Sequence, residues 1–441
     1  MLGVIAYSLT IFGQAYGQAI LKGIRIRYTL YSDQNQAATM RINLRHFYCF
    51  REVARRNSIN AASPHVHLSQ PAITQAIAKL EVELGATLFI RRSSGMFVTE
   101  AGEIFLHRVK RALDYIEAGA RDTLKIAQKE KERGFENFHR LMTAAQLNAL
   151  IAVVETGNFS LAARQTGVSQ PSIHRRARDL ESLSGVTLFE KDRSGIRPTA
   201  TARILVRAAK LAFSEIELGR AELNALNGRE TGKLTIGAMS LARAYILPKT
   251  LPAYGREFPD HRICIVDGSY DQLLSGLRHG DIDILIGAAR APAPIDDVVQ
   301  EALFKDPLAI MMRQGHPLAK KKSATPKELA HYPWIVARAG APLRARFEEL
   351  FKTKRAGAPA QTIECNSFAA IRGLLLESDA VTLLSPHQAH YEIEAGLLTA
   401  LPHPQGNVAR DIAATVRSDW APTRAQKRFM ELLKTHRPDA A

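Results

Sequence analysis

The sequence predicts a multi-domain protein built from two small, mostly helical modules of one kind followed by a two-lobed α/β domain. Three observations lead there. At 441 residues the chain is too long for a single hydrophobic core. A segment of about sixty residues recurs at an offset of 100. From Lys233 onward the apolar period switches from helical to alternating strand and helix.

Composition narrows the class. With 46% hydrophobic and 23% charged residues, the chain is neither wholly disordered nor a polytopic membrane protein. The net charge is +16, of which +11 falls in residues 1–230, so a polyanion is the expected partner of the N-terminal half, which the helix-turn-helix described below narrows to double-stranded DNA. Cys49, Cys264 and Cys365 form no C-x-x-C pair, which leaves no disulfide framework or cysteine zinc site and fits a cytoplasmic protein. The apolar run Met1–Ile20 lacks a basic start and is interrupted by Gly3, Gly13, Gln14, Gly17 and Gln18, so no membrane anchor is expected. Residues 1–39 read as a disordered or non-native extension, with Met40 as the functional beginning.

The repeat keeps register without a gap. Ser69-Gln70-Pro71 returns as Ser169-Gln170-Pro171, Leu80-Glu81 as Leu180-Glu181, Thr87-Leu88-Phe89 as Thr187-Leu188-Phe189, and Ser94-Gly95 as Ser194-Gly195. The copies span 42–102 and 142–202. Each opens with a helix whose buried face is Phe47, Phe50, Val53 and Ala54, or Leu147, Leu150, Val153 and Val154. A short helix with small residues follows (Ala61-Ala62, Ala162-Ala163), then a turn at His67 or Gly167. Ser69 or Ser169 reads as an N-cap, with Pro71 or Pro171 in the first turn where a missing N–H costs nothing. The third helix buries Ile73, Ile77, Leu80 and Leu84, or Ile173, Ala177 and Leu180.

Two helices joined by a tight turn, about 59–78 and 159–178, form a helix-turn-helix, whose second helix can enter the major groove. A strand, a basic Ser-Gly turn and a returning strand follow in each copy and form a wing, with cations suited to phosphates. The expected DNA contacts are Gln170, Pro171, Ser172, His174, Arg175, Arg176, Arg178, Arg193 and Arg197 in copy two, and Gln70, Pro71, Thr74, Gln75, Arg91 and Arg92 in copy one. A charge run is more often a solvated face. Arg175, Arg176 and Arg178 escape that reading because they lie on the outward face of a helix whose start is already specified.

Both copies resemble the winged helix of LysR-type bacterial transcriptional regulators, through S-Q-P-[AS]-I, L-E, G-x-T-L-F and S-G-x-x-x-T in order. The family ordinarily has one such module, so the duplication departs from it. So does Thr199-Ala200-Thr201-Ala202, which replaces the T-x-A-G kept at Thr99, Ala101 and Gly102. A linker helix is expected in 103–141 and a dimerisation helix in 203–230. Resemblance to the family implies an antiparallel dimer made by the latter, hence a homodimer or tetramer, with RNA polymerase as a further partner.

Residues 231–437 alternate strand and helix as βαβαβ, which implies a parallel, doubly wound sheet, and then a second set of the same kind. The order resembles the two-lobed α/β periplasmic-binding-protein-like domain that the family uses for its small-molecule effector. Ligands of such sheets bind beyond the carboxyl ends of strands. That selects Met239 and Ser240, Arg338, Ser367 and Ser385 as effector contacts, and their donors suit a small organic acid. A plain helix cap explains Ser240 as well, and a surface salt bridge Arg338.

No phosphate loop, dinucleotide fingerprint, H-E-x-x-H or G-x-S-x-G occurs, and no catalytic or metal constellation is found, so the chain is not expected to be an enzyme or to carry a cofactor. Two rivals stand beside the regulator reading. A solute-binding protein would need only the C-terminal half. A DNA-processing enzyme would need a metal-binding carboxylate cluster, for which Asp281/Asp283 and Asp296/Asp297 are the candidates.

Overall fold

The computed structural model describes residues 43–129, 134–192, 195–290, 295–352, 357–359 and 361–438. The expectations for residues 1–39, for the charged run 130–133 and for Arg193 lie outside them. Copy one folds as α1 (Leu44–Arg56), α2 (Ile59–Val66), α3 (Gln70–Leu84), β1 (Phe89–Arg92) and β2 (Gly95–Val98), and runs into α4 (Glu100–Lys129). Copy two repeats it as α5 (Ala144–Thr156), α6 (Phe159–Thr166), α7 (Gln170–Ser184), β3 (Phe189–Asp192), β4 (Gly195–Pro198) and α8 (Ala200–Leu226).

The periodic apolar faces close the cores, except that Ala54, Leu84 and Val154, at the edges of their stripes, are only half-buried. Phe47, Phe50, Val53, Ile73, Ile77 and Leu80 are buried, and Phe50 meets the rings of Phe89 and Phe105 at 5.4 and 6.0 Å. Each such buried ring contributes about 1.5–3 kcal/mol. Copy two uses Leu147, Leu150, Ile173, Ala177 and Leu180 likewise.

The repeated polar residues have equally specific work. One carboxylate oxygen of Glu81 accepts from the amides of Leu88 (2.7 Å) and Phe89 (3.2 Å), and Glu181 does the same for Leu188 (2.9 Å) and Phe189 (3.1 Å), which pins the first wing strand to the recognition helix. The Thr99 hydroxyl donates to the Thr87 carbonyl (2.6 Å) and accepts from the Gly102 amide (2.9 Å), tying the long helix to the wing. Ser69 and Ser169 stand at the N-cap positions but accept no capping hydrogen bond, contrary to the sequence expectation. Ser169 instead bonds the Ser172 hydroxyl at 2.9 Å.

Gly102 shows why the family's T-x-A-G ends as it does. A Cβ there would lie 2.2 Å from the Leu88 carbonyl oxygen. In copy two Ala202 is accommodated, and Thr201 reaches the Thr187 carbonyl at 2.9 Å. Gly102→Ala is therefore expected to cost about 1–3 kcal/mol of stability through overpacking, read as a lower thermal midpoint.

The two long helices lie antiparallel against each other. Gly119 of α4 packs on Ala208 of α8, and Gly219 of α8 packs on Phe105 and Arg108 of α4. One face of α8 is thus covered by α4 of the same chain. Arg108 is 2% exposed and its guanidinium donates to Glu215 (2.9 Å), to both oxygens of Glu222, and to the Ala421 carbonyl (2.9 Å).

The α/β region forms two five-stranded sheets. Lobe I orders β6 (His261–Val266), β5 (Gly232–Ala238), β7 (Ile284–Ala288), β14 (Ala409–Arg417) and β8 (Val298–Pro307). Lobe II orders β11 (Thr362–Glu364), β10 (Trp334–Val336), β12 (Val381–Leu384), β9 (Ala309–Arg313) and β13 (Leu398–Pro402). Neither sheet is all parallel, as the βαβαβ reading implied. β14 runs antiparallel to β7 and β8, and β9 antiparallel to β12 and β13, because the chain crosses between lobes twice, at Leu308 and at 403–408. The helical segment after β5 begins with a π turn at Ala242–Ile246 before α9 (Leu247–Glu257). Pro248 has no N–H to donate there, which opens the ladder.

Candidate nucleic-acid interface and effector site

In copy one the expected contacts come together. Gln70, Pro71, Thr74, Gln75, Arg91 and Arg92 all line one open groove of about 740 Å³ between α3 and the wing. Gly95, at φ 137°, lets the wing turn approach α1, since a Cβ there would sit 2.5 Å from the Asn57 carbonyl. The Met96 amide donates to that same oxygen at 2.8 Å. Gln70 donates to Asn60 (3.0 Å), and Thr74 donates back to the Gln70 carbonyl (3.0 Å), so both are partly engaged within the module.

In copy two, Arg175 is exposed and Arg176 half-buried, and neither has an ion pair among the described residues. Arg178 is paired with Glu181, an exposed i,i+3 bridge of little energetic weight that a phosphate can displace. His174 lies against Phe159, ring centroids 4.9 Å apart, and Gln170 accepts from Ser160 (2.9 Å). Pro171 is exposed, Ser172 half-buried, and Arg197 is exposed on β4, opposite Glu190.

Both heads are clamped to lobe I. On α8, Lys210 bridges Glu155 of α5 and Asp281 (2.9 Å), and Arg207 reaches Asp297 at 2.8 Å. On α4, Arg111 donates to the Asp419 carbonyl (2.6 Å) and Tyr115 to the Asp419 carboxylate (2.6 Å). The α4 contacts were not foreseen from the sequence, because residues so far apart in the chain carry no periodic signal.

Of the carboxylates weighed as metal ligands, Asp281, Asp283 and Asp297 are otherwise engaged. Burial would raise the Asp297 carboxyl, but Arg278 and Arg207 hold it below the usual range. Asp283 is pushed up by burial and accepts from the Thr235 amide (2.7 Å) and the Gln426 side chain (3.0 Å). Among the described residues no group of three or more His, Cys, Asp and Glu could hold a metal ion, and no described helix is long and apolar enough to cross a membrane.

The five effector candidates separate. Ser240 follows β5 and its hydroxyl has no hydrogen bond among the described residues. Met239 packs on Gly287. Arg338 follows β10, its side chain exposed and unpaired among the described residues, with its amide held by Asn366 (3.2 Å). Ser367 caps α13 (Phe368–Glu377), which follows α10 (Tyr270–Arg278), α11 (Pro326–Leu329) and α12 (Pro342–Leu350). Ser385 is fully buried and donates to Asp306, which also receives Arg410 (2.9 Å) and His387 (3.1 Å). Asp306 ends β8 and Arg410 opens β14, so Ser385 belongs to a polar cluster at the lobe crossings rather than presenting a free hydroxyl.

Two winged helices on a rigid helix pair, joined to a two-sheet α/β body, define a DNA-binding protein with a ligand-binding regulatory domain. The family model described as the LysR-family bacterial regulatory helix-turn-helix matches twice, at 44–103 and 144–203, and the LysR substrate binding domain matches 227–438. The chain belongs to the LysR family of transcription regulators. It is 32% identical over 376 residues to the HTH-type transcriptional regulator GalR of Pseudomonas putida, covering 85% of this chain and 92% of that one. Since residues 144–441 could not supply an alignment of that length, it takes in part of copy one as well. GbpR of Azospirillum brasilense is 28% identical over 259 residues, 58% of this chain and 75% of that protein. A full-length OxyR variant from Pseudomonas aeruginosa shares the fold, at TM-score 0.50 and 24% identity over 67% of this chain and 94% of that chain.

Proposed function

We propose that this LysR-family regulator reads DNA chiefly through the start of α7, with Gln170, Pro171, Ser172, His174, Arg175 and Arg176 at the groove, and is switched by a small organic acid held between the lobes near Ser240 and Arg338. The observation that carries the first part is the unpaired Arg175 at the outer face of a helix whose position the wing and α6 determine. Supporting the second part, Ser240 and Arg338 stand at the carboxyl ends of β5 and β10, one in each lobe, with side chains unspent on the protein. A ligand that prefers one lobe arrangement shifts the population of that arrangement, and the clamps at Lys210 and Asp419 pass the change to the helix pair. The protein acts in the cytoplasm, without catalysis, and RNA polymerase is its expected further partner on DNA.

A thermal-shift screen of the purified chain against aromatic and sugar acids, followed by DNA binding with each stabilising acid, tests this. Ser240→Ala or Arg338→Ala should remove the response while DNA binding without ligand survives. If both variants respond as the parent does, the effector lies elsewhere.

A further inference from the structure

The antiparallel pairing of α4 with α8 obeys the internal repeat. Gly119 meets Ala208, and the residues one hundred positions away from each, Gly219 and Arg108, meet as well. A contact that maps onto its own partner is the signature of a two-fold axis, which here passes near residues 113 and 213. At about 1.5 Å per residue each helix N-terminus, and the wing attached to it, lies roughly 20 Å from that axis. The two winged helices therefore start ~40 Å apart at opposite ends of the pair, comparable to the roughly 34–36 Å that separates half-sites on one DNA turn.

The charges, in contrast, break the symmetry. Arg108 and Arg111 of α4 face Glu215 and Glu222 of α8. At the mirrored crossing the corresponding residues are Ala208 and Leu211 with Tyr115 and Asp122. Pairing α8 with a second α8 would set the fully buried Glu215 against Ala208 and Leu211 with no cation, whereas pairing α4 with α4 would leave Arg108 the shorter Asp122 in place of Glu222 and Tyr115 in place of Glu215. An uncompensated buried charge disfavours the first, and the second loses one of the two carboxylates that serve Arg108. Only a copy-one helix satisfies a copy-two helix. The chain reaches that arrangement directly, since the segment after α4 docks on copy two itself, with the Phe135 amide donating to the Ser184 carbonyl at 3.0 Å.

We infer that one chain is by itself a two-headed DNA reader, built to cover two unlike half-sites about one helical turn apart, a selective one under α7 and a weakly selective flank under α3 and the Arg91/Arg92 wing. The inference rests on the DNA-reading function proposed above and adds the arrangement of the site. Two heads held in one chain bind the second half-site intramolecularly, so each contributes to affinity at any protein concentration.

The test is selection of bound duplexes from a random library by the full chain, then footprinting of the selected DNA. The expected site is not palindromic, with one sharply defined half-site that blurs in Arg175→Ala. A protected flank about one turn away should be lost in Arg91→Ala/Arg92→Ala, with affinity falling ~10-fold or more across all sequences. An inverted repeat of two sharp half-sites one turn apart, both blurred together by Arg175→Ala, would mean that two chains each supply copy two and would overturn the inference. So would an unchanged footprint in the wing variant. Failure to retain any sequence preference would instead remove the DNA-reading function itself.

Discussion

Arg108→Ala is expected to lower the unfolding free energy by about 3–5 kcal/mol, the usual penalty for stranding a buried charge, and to do so more than any other single change on the helix pair. The guanidinium is 2% exposed and serves two carboxylates and one carbonyl. Glu215, 1% exposed, would keep only Arg111. Removing both members of the core pair should cost far less, because apolar side chains of similar volume avoid desolvating either charge. Arg108→Met/Glu215→Met should therefore recover most of the stability lost in Arg108→Ala. The check is the urea midpoint followed by helical circular dichroism for the two variants and the parent. If Arg108→Ala unfolds within about 0.5 kcal/mol of the parent, as a surface substitution would, the network does not hold the helices together. The double variant has a second use, since it removes the buried carboxylate that disfavours α8–α8 pairing and should make contacts between the α8 helices of two chains more favourable than in the parent.

The reading from sequence succeeded where a single helix face or a repeated residue carried the information. The apolar stripes at Phe47, Phe50 and Val53 and at Ile73, Ile77 and Leu80 are buried as the three- and four-residue spacing requires. Glu81 and Thr99 were visible only as repeats, and their roles emerged from the amides and carbonyls they bind. What failed depended on contacts between distant segments. Periodicity shows that α8 has a buried face, not which helix covers it. The signal that could have named α4 was the comparison of the copies: Gly119 and Gly219 agree, while Arg108 and Arg111 in one helix complement Glu215 and Glu222 in the other. β8 and β13 are edge strands, half solvated, and so lack the continuous apolar run that marked β7 and β12. Missing them hid both lobe crossings, and with them the hinge cluster that takes up Ser385.

The largest effect on DNA is expected from Arg175→Ala. Arg175, the fifth residue after Gln170, is exposed and unpaired among the described residues, whereas Gln75, at the same place in copy one, is neutral. An arginine can donate two hydrogen bonds to one guanine edge, which discriminates against other bases by about 1–3 kcal/mol, and it neutralises phosphate besides. Its removal should weaken the selected site by about 5- to 150-fold, the same free energy expressed as a ratio at 1.4 kcal/mol per decade, and leave binding to unrelated duplex much closer to the parent. Gln75→Ala lacks the charge to lose and sits beside Ala76 and Ala78, where copy two carries Arg176 and Arg178, so its effect should stay within a few-fold on either DNA. Arg178→Ala should fall between, because its guanidinium must first leave Glu181. The comparison has to be made at one fixed salt concentration, since phosphate contacts alone change affinity by orders of magnitude with salt. Competition binding of the three variants against selected and scrambled duplexes gives the order. Should Gln75→Ala erase the preference while Arg175→Ala keeps it, copy one is the selective reader, and the basic helix of copy two serves only to hold phosphate.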